Sequence, residues 1–314
     1  MTIMLSASVD VGSNTLRLLV GSVNGREISR VYTARSVTRL AEGVRETGHL
    51  REENIGKSLA ALQDFSGAIS GLGASPVRAV GTSALRDAKN GEAFVRVARE
   101  ETGIAIEVIT GTREAALTAK GVVAGVPDIP GPSLIIDIGG GSTEWIIHNP
   151  ESREVPACGT VPLGVVNLLE RFIHADPPSE RETAALNDET DASFRAGAWH
   201  IARSQGFSEI IGTGGTITTL ASIDLGLEEY DPARVHRHRM SLGRLHHIRD
   251  RLTALPFAER QRISGIGPGR ADLIIPGVLL TIRLVAHFRL DGITVSDFGL
   301  LEGLLEEIHN ENGL

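Results

Sequence analysis

The sequence predicts an α/β protein made of two similar lobes. Three observations predict it. Strand-length apolar runs alternate with helical periodicities along the chain, which is the signature of layered α/β folds. A strand–turn–strand segment with an aspartate near the end of its first strand occurs twice, at Leu5–Val23 and at Leu134–Ile147. The composition is globular, with 41% hydrophobic and 22% charged residues, and 314 residues suffice for two cores.

The repeat carries the most information. At one constant offset Asp10 aligns with Asp137, Gly12 with Gly139, Thr15 with Ser142 and Arg17 with Glu144. Each copy runs apolar strand, Asp, apolar residue, Gly, short polar turn, apolar strand. The second copy reads Asp137-Ile138-Gly139-Gly140-Gly141-Ser142-Thr143-Glu144. Glycines let a ligand approach the backbone closely, and such a turn can form a nest of N–H donors for an anion. Ser142 and Thr143 add hydroxyls, and the flanking carboxylates of Asp137 and Glu144 can hold a cation or its waters. An ordinary glycine-rich hairpin is the rival reading of either copy alone. Repetition weighs against it.

The remaining elements follow in order. Asn24–Val37 reads as a hairpin with Asn24-Gly25 as its type I′ turn. Thr38–Thr47 is a loop carrying Arg39 and Arg45, and Arg51–Leu72 is helical through Ile55, Leu59, Leu62, Phe65 and Ile69. Val77–Gly81 is a short strand, after which Thr82-Ser83 offers a cap and an anion site. Arg86 can clamp a phosphate bidentately or can be a solvated helix charge. A helix from Glu92 to Thr102 leads to a strand at Ile104–Ile109. Gly111–Val123 is a helix with Thr112 as cap and Glu114 in its first turn. Glutamate there either complements the helix dipole or serves as a general base for water.

Pro127–Pro132 is the candidate hinge, dividing a first domain of residues 1–126 from a second of 127–314, with the last helix free to pack on the first domain. Beyond the second glycine turn come a strand at Val155–Val161, helices at Gly164–Phe172 and Glu180–Arg203, and a strand at Glu209–Gly212. Phe194 and Ile201 face inward on the long helix. Thr213-Gly214-Gly215-Thr216 opens a helix and is a weak phosphate signal. Val235–Arg239 holds His236 and His238 and reads as an exposed strand or loop, with metal binding the lesser alternative. Helices at Leu242–Leu255, Pro256–Ile263, Gly277–Phe288 and Gly299–His309 and a strand at Ile293–Val295 complete the chain, with Pro268-Gly269-Arg270-Ala271-Asp272 between them.

Composition excludes some functions. The net charge of −8 opposes nucleic-acid binding through bulk charge. The single cysteine, Cys158, rules out an internal disulfide and fits a reducing cytoplasm. No basic n-region and no membrane-length apolar run is apparent, so neither secretion nor membrane insertion is expected.

The combination of motifs resembles the exopolyphosphatase / guanosine pentaphosphate phosphohydrolase (Ppx/GppA) family, within the acetate kinase–sugar kinase–Hsp70–actin superfamily. Its carriers are Val9–Asn14, Thr82–Arg86 with Asn90, Glu114–Leu117, Asp137–Glu144, Gly212–Thr216, Arg270–Asp272, and Val295–Asp297 leading to Glu302–Leu305. The resemblance spans nearly the whole chain, which is similar to the short, two-domain form. It implies two ribonuclease-H-like domains with an inter-domain cleft, and hydrolysis of terminal phosphoanhydrides. Glu114 matches the catalytic glutamate. Asp137 and Glu144 match residues supporting metal and water, with Asp10 as a third metal candidate. Ser13, Asn14, Thr15, Gly139, Gly140, Gly141, Ser142 and Thr143 match phosphate cradles. Arg17, Arg86, Asn90, Gly214, Gly215 and Arg270 match groups facing the phosphate chain. Asn167 and Leu301 stand where arginine is common. Mg²⁺ is the implied cofactor, and a monovalent cation is a second candidate. The implied substrate is inorganic polyphosphate, with guanosine pentaphosphate, converted to the tetraphosphate, as the alternative. A phosphate-binding sensor and a kinase of the superfamily are the more distant readings. A cytoplasmic homodimer is the implied setting.

Overall fold

The computed structural model describes residues 4–25, 27–129, 131–151, 157–196 and 206–312. These form two compact units. The first comprises the residues up to Ala124 together with those from Phe298 onward, and the second comprises Gly125–Asp297. The closing helix thus belongs to the first unit.

The first unit is built on a five-stranded sheet. Its strands are β1 (Ser6–Val11), β2 (Thr15–Asn24), β3 (Glu27–Val37), β4 (Val77–Gly81) and β5 (Ile106–Val108), in the order β3-β2-β1-β4-β5. The pairs β1–β2 and β2–β3 are antiparallel, and β1–β4 and β4–β5 are parallel. Asn24 pairs with Glu27, so Asn24 ends β2 and left-handed Gly25 (φ 62°) begins the connection, one residue later than the expected turn.

Every residue of β1 is buried, because helices cover both faces of the sheet. On one face, α2 (Glu52–Gly71) and α4 (Gly91–Thr102) pack Leu62, Phe65, Phe94 and Ala98 against Val9, Leu16, Leu18 and Ala79. Residues of the alternate parity, Leu19 and Val80, meet α5 (Gly111–Gly125) and the closing helix through Leu117, Leu300, Leu304 and Leu305. The short helices α1 (Val44–Thr47) and α3 (Ser83–Asp87) complete the first half. The cap of α5 is Thr110 rather than Thr112: its Oγ1 accepts the Arg113 amide at 3.2 Å.

The second unit repeats this plan. Its strands are β6 (Ser133–Ile138), β7 (Thr143–His148), β8 (Cys158–Val161), β9 (Glu209–Thr213), β10 (Arg239–Ser241) and β11 (Gly292–Val295), in the order β10-β11-β9-β6-β7-β8. Removing the short edge strand β10 leaves β8-β7-β6-β9-β11, with the directions of β3-β2-β1-β4-β5. The aligned aspartates therefore occupy equivalent strands. The mixed two-sheet α/β fold expected from the repeat is the one found.

Helices α6 (Val165–Phe172), α7 (Glu180–Ala196), α8 (Gly214–Leu225), α9 (Pro232–Val235), α10 (Leu242–Ala254), α11 (Phe257–Arg260) and α12 (Ile274–His287) surround the second sheet, and α13 (Leu300–Asn312) closes the first. The helices around the second sheet contribute to one core that includes Leu134, Ile136, Trp145, Phe194, Leu220 and Leu280. Helix α12 starts earlier than the expected Gly277. Pro276 falls in its first turn, where a missing amide costs nothing, so it does not break the helix. Helix α11 covers only part of the expected Pro256–Ile263. Ile201 and the strand start at Val155 lie outside the described residues.

The start of α7 is a reciprocal capping box. Ser179 Oγ accepts the Glu182 amide at 3.3 Å while the Glu182 carboxylate accepts the Ser179 amide at 2.8 Å. The backbone amide of Ser179, then that of His174, the Ser179 hydroxyl and the Ala175 amide hold the Glu182 pKa down to about 2.

Candidate active site

In the first unit Val11 pairs with Leu16, so Gly12–Thr15 is a four-residue turn. A Cβ on Gly12 would lie 2.9 Å from the Thr15 carbonyl oxygen, so the turn closes tightly only around glycine. The loop after β3 grips this turn from behind. The Asn14 carbonyl accepts the amides of Thr38 (3.1 Å) and Arg39 (3.0 Å), and the Ser13 carbonyl accepts that of Ala41 (2.9 Å). With the carbonyls committed, the Ser13 and Asn14 amides have no acceptor among the described residues. The Ser13 and Ser83 hydroxyls are 2.8 Å apart and join the turn to the start of α3. Thr82 precedes that helix without a side-chain cap.

Asp10 lies opposite Arg17 in the β1–β2 ladder. Arg17 donates from Nε (2.9 Å) and Nη2 (2.7 Å) to Asp10 Oδ2, while Oδ1 is buried without a partner. Arg86 donates from Nη1 to Glu114 Oε2 at 2.8 Å and to the Ile109 carbonyl at 2.9 Å. Glu114 is only 8% exposed. The sequence treated Arg86 and Glu114 as separate groups, and the structure brings them into one ion pair. Asn90 has a structural partner: its amide oxygen accepts from Leu50 N (2.8 Å) and its Nδ2 donates to Leu50 O (3.0 Å).

The second unit repeats the turn residue for residue. Ile138 pairs with Thr143, leaving Gly139–Ser142 as the four-residue turn, and Asp137 lies opposite Glu144. A Cβ on Gly139 would stand 3.0 Å from the Ser142 carbonyl oxygen, which accepts the Gly139 amide at 2.9 Å. Here the grip comes from α6. Val165 N donates to Gly139 O (3.0 Å), Val166 N to Gly140 O (2.8 Å), and Asn167 Nδ2 to Gly141 O (2.8 Å). All four carbonyls of the turn are thereby engaged by protein. The amides of Gly140, Gly141 and Ser142 have no acceptor among the described residues. Outward-facing N–H groups on a fixed turn are a nest for an anion.

The carboxylates beside this turn differ in their surroundings. Glu144 is 1% exposed, and its Oε1 accepts hydroxyl hydrogens from Ser142 and Thr160, each at 2.7 Å. Thr160, from the neighbouring strand, carried no recognisable signal in the sequence. The Thr143 hydroxyl donates to Leu163 O at 2.5 Å, so it holds the local fold. Asp137 lies against the Gly214–Gly215 turn: a Cβ on left-handed Gly214 (φ 82°) would fall 2.1 Å from Asp137 Oδ1. A Cβ on Gly215 would fall 2.2 Å from Arg270 Nη2. The two glycines therefore admit a carboxylate and a guanidinium side by side, which is the physical content of the weak glycine motif. Thr216 ties this turn to the first by donating to Ile138 O at 3.0 Å.

Other candidates fall away from these clusters. His236 Nε2 lies 3.0 Å from Gly125 O, and His238 Nε2 lies 2.7 Å from Asp224 Oδ2. No group of three or more metal-ligating side chains occurs among the described residues. Burial pushes the Cys158 thiol up, away from activation. Leu301 is buried with Leu19, Leu305 and Ile308.

Two copies of a tight turn whose outer amides have no acceptor among the described residues, each at the end of a central strand with an aspartate before it, define an α/β protein built from two like units. Residues 19–311 match the model of the Ppx/GppA phosphatase family. The chain belongs to that family, and so to the actin-like superfamily. Exopolyphosphatase 2 of Mycobacterium tuberculosis is 31% identical over 315 residues, covering 95% of this chain and 96% of the relative. The crystal structure of the Aquifex aeolicus family member superposes with a TM-score of 0.81 at 32% identity, covering 99% of both chains. An exopolyphosphatase structure from Cytophaga hutchinsonii gives a TM-score of 0.90 at 28% identity, covering 98% of both.

Proposed function

We propose that this protein releases terminal phosphate from inorganic polyphosphate by attack of water on the last phosphoanhydride bond. The observation that carries the reading is the pair of turns whose carbonyls are tied back by protein and whose amides have no acceptor among the described residues. The reaction needs its phosphate oxygens neutralised and its water held in line, and fixed N–H dipoles supply the first without reorganising. Relatives named exopolyphosphatases favour polyphosphate over guanosine pentaphosphate, whose terminal anhydride is chemically equivalent.

In this reading Glu114 takes the proton of the attacking water. Arg86, bonded to one carboxylate oxygen, fixes its orientation. Arg17 and Arg270 neutralise phosphate oxygens. Mg²⁺ keeps several waters and takes one or two carboxylates, and Asp137 and Glu144, opposite one another in the ladder, fit that number. When bound, Mg²⁺ supplies charge neutralisation at the phosphates. Asp10 fits less well, because its charge is already paired with the Arg17 guanidinium, whereas the bonds to Glu144 Oε1 come from neutral hydroxyls. No helix among the described residues is long and apolar enough to cross a membrane. With one cysteine in the chain, we assign the reaction to the cytoplasm.

The test is phosphate release from long-chain polyphosphate, guanosine pentaphosphate and ATP, by wild type and by Glu114→Gln. The expected result is release from polyphosphate by wild type, and none by a variant that still binds it. Normal turnover in the variant would remove Glu114 from its role, and no release from any substrate by wild type would favour a sensor.

A further inference from the structure

We infer that Asn167 is a positioning residue for the phosphate-binding turn, acting through the Gly141 carbonyl. The inference rests on the reading of Gly139–Ser142 as an anion cradle. Three consecutive residues of α6 bind three consecutive carbonyls of that turn: Val165 N to Gly139, Val166 N to Gly140, and Asn167 Nδ2 to Gly141. The first two bonds come from backbone amides at the helix N-terminus, which lack intrahelical partners and would form with almost any side chains. The third comes from a side chain, so sequence decides it.

A peptide plane fixes its carbonyl and the following N–H in opposite directions. Holding Gly141 O toward α6 therefore aims the Ser142 amide away from α6, as the bond to Gly140 O aims the Gly141 amide. Without the Asn167 donor, the Gly141–Ser142 peptide can rotate, and the nest loses one of its three N–H groups. The closest approach between α6 and the turn occurs next to this bond. A Cβ on Gly164 would lie 2.2 Å from Gly140 O and 2.3 Å from the Gly141 carbonyl carbon, so the helix and the turn are in backbone contact. Asn167 locks the end of that contact that glycine leaves free.

The experiment compares steady-state hydrolysis of long-chain polyphosphate by wild type, Asn167→Leu and Asn167→Asp, with urea unfolding of each. Leucine keeps the shape and removes the donor. One hydrogen bond's contribution to a site that grips ground state and transition state alike raises KM about fivefold and leaves kcat within twofold. Aspartate keeps the shape but as a carboxylate cannot donate, so its KM at pH 8 should exceed that of the leucine variant. Its ratio to wild type should then fall as pH drops and the protonated acid donates again. A merely structural role would lower the urea midpoint and leave KM unmoved. A folded leucine variant with KM within twofold of wild type overturns the inference. If leucine prevents folding, an aspartate variant whose KM ratio is flat with pH overturns it. In either case wild-type hydrolysis would leave the functional reading standing, whereas no hydrolysis by wild type removes both.

Discussion

Gly164→Ala tests the architecture of the site most directly. The added methyl would sit 2.2 Å from Gly140 O and 2.3 Å from the carbonyl carbons of Gly140 and Gly141. Ordinary carbon–oxygen contact is more than 3 Å, so α6 and the turn must separate by about 1 Å. The methyl cannot be accommodated by turning a flexible side chain, because its three nearest atoms are all backbone. Separation stretches the three bonds from Val165, Val166 and Asn167 beyond hydrogen-bond length. At about 1 kcal/mol each, their loss costs up to roughly 3 kcal/mol of stability. The same movement lets the turn's amides swing away from the phosphate. If about 2.7 kcal/mol of transition-state stabilisation goes with them, kcat/KM for polyphosphate falls about 100-fold. The assays are phosphate release and urea unfolding, with Gly56→Ala as the control. Gly56 sits in α2 with nothing within 4 Å of an added Cβ, so that variant should be as active as wild type and slightly more stable. A folded Gly164→Ala protein with wild-type kcat/KM would refute the argument that α6 shapes the cradle.

Three further outcomes are expected. Arg86→Met removes the guanidinium that holds the buried Glu114 carboxylate in place, so kcat for polyphosphate should drop at least about tenfold while the variant still binds polyphosphate; wild-type kcat in the variant would detach Arg86 from Glu114. Glu182→Gln removes a carboxylate whose folded pKa of about 2 lies below its ordinary value of 4.5. The stability it contributes is present above the ordinary value and is lost as pH falls from 4.5 toward 2, so the variant's urea midpoint should be lower at pH 7 and should converge on wild type in acid. EDTA should abolish phosphate release and Mg²⁺ should restore it, while full activity in EDTA would take the metal out of the scheme.

Much of this protein could be read from its sequence. The repeat of Asp10–Arg17 in Asp137–Glu144 is fixed by local chemistry, since each copy needs only apolar strands, a glycine against a carbonyl, and a short polar turn. That pattern predicted two similar units, and the two sheets share a strand order accordingly. Helix limits were legible where periodicity was strong, as in α2, and misread at Pro276, whose cost vanishes in a first turn. The family motifs named candidate site residues one by one.

What the residues do to each other required tertiary structure. Arg86 and Glu114 are far apart in the chain and read as two separate site groups, a phosphate clamp and a base, yet α3 and α5 deliver them to one ion pair. Asn90 reads as a polar site group, but both ends of its amide are spent on Leu50. Asn167 reads as a missing positive charge, and it proves to be a donor to Gly141. The reason is general. Turn formation depends on neighbours in sequence, whereas the direction in which a turn's amides point depends on which distant donors hold its carbonyls. Sequence alone determined that this chain carries two matching glycine turns on an α/β scaffold. Only the packing of α6, and of the Thr38–Ala41 loop, decided that their N–H groups are left for a ligand.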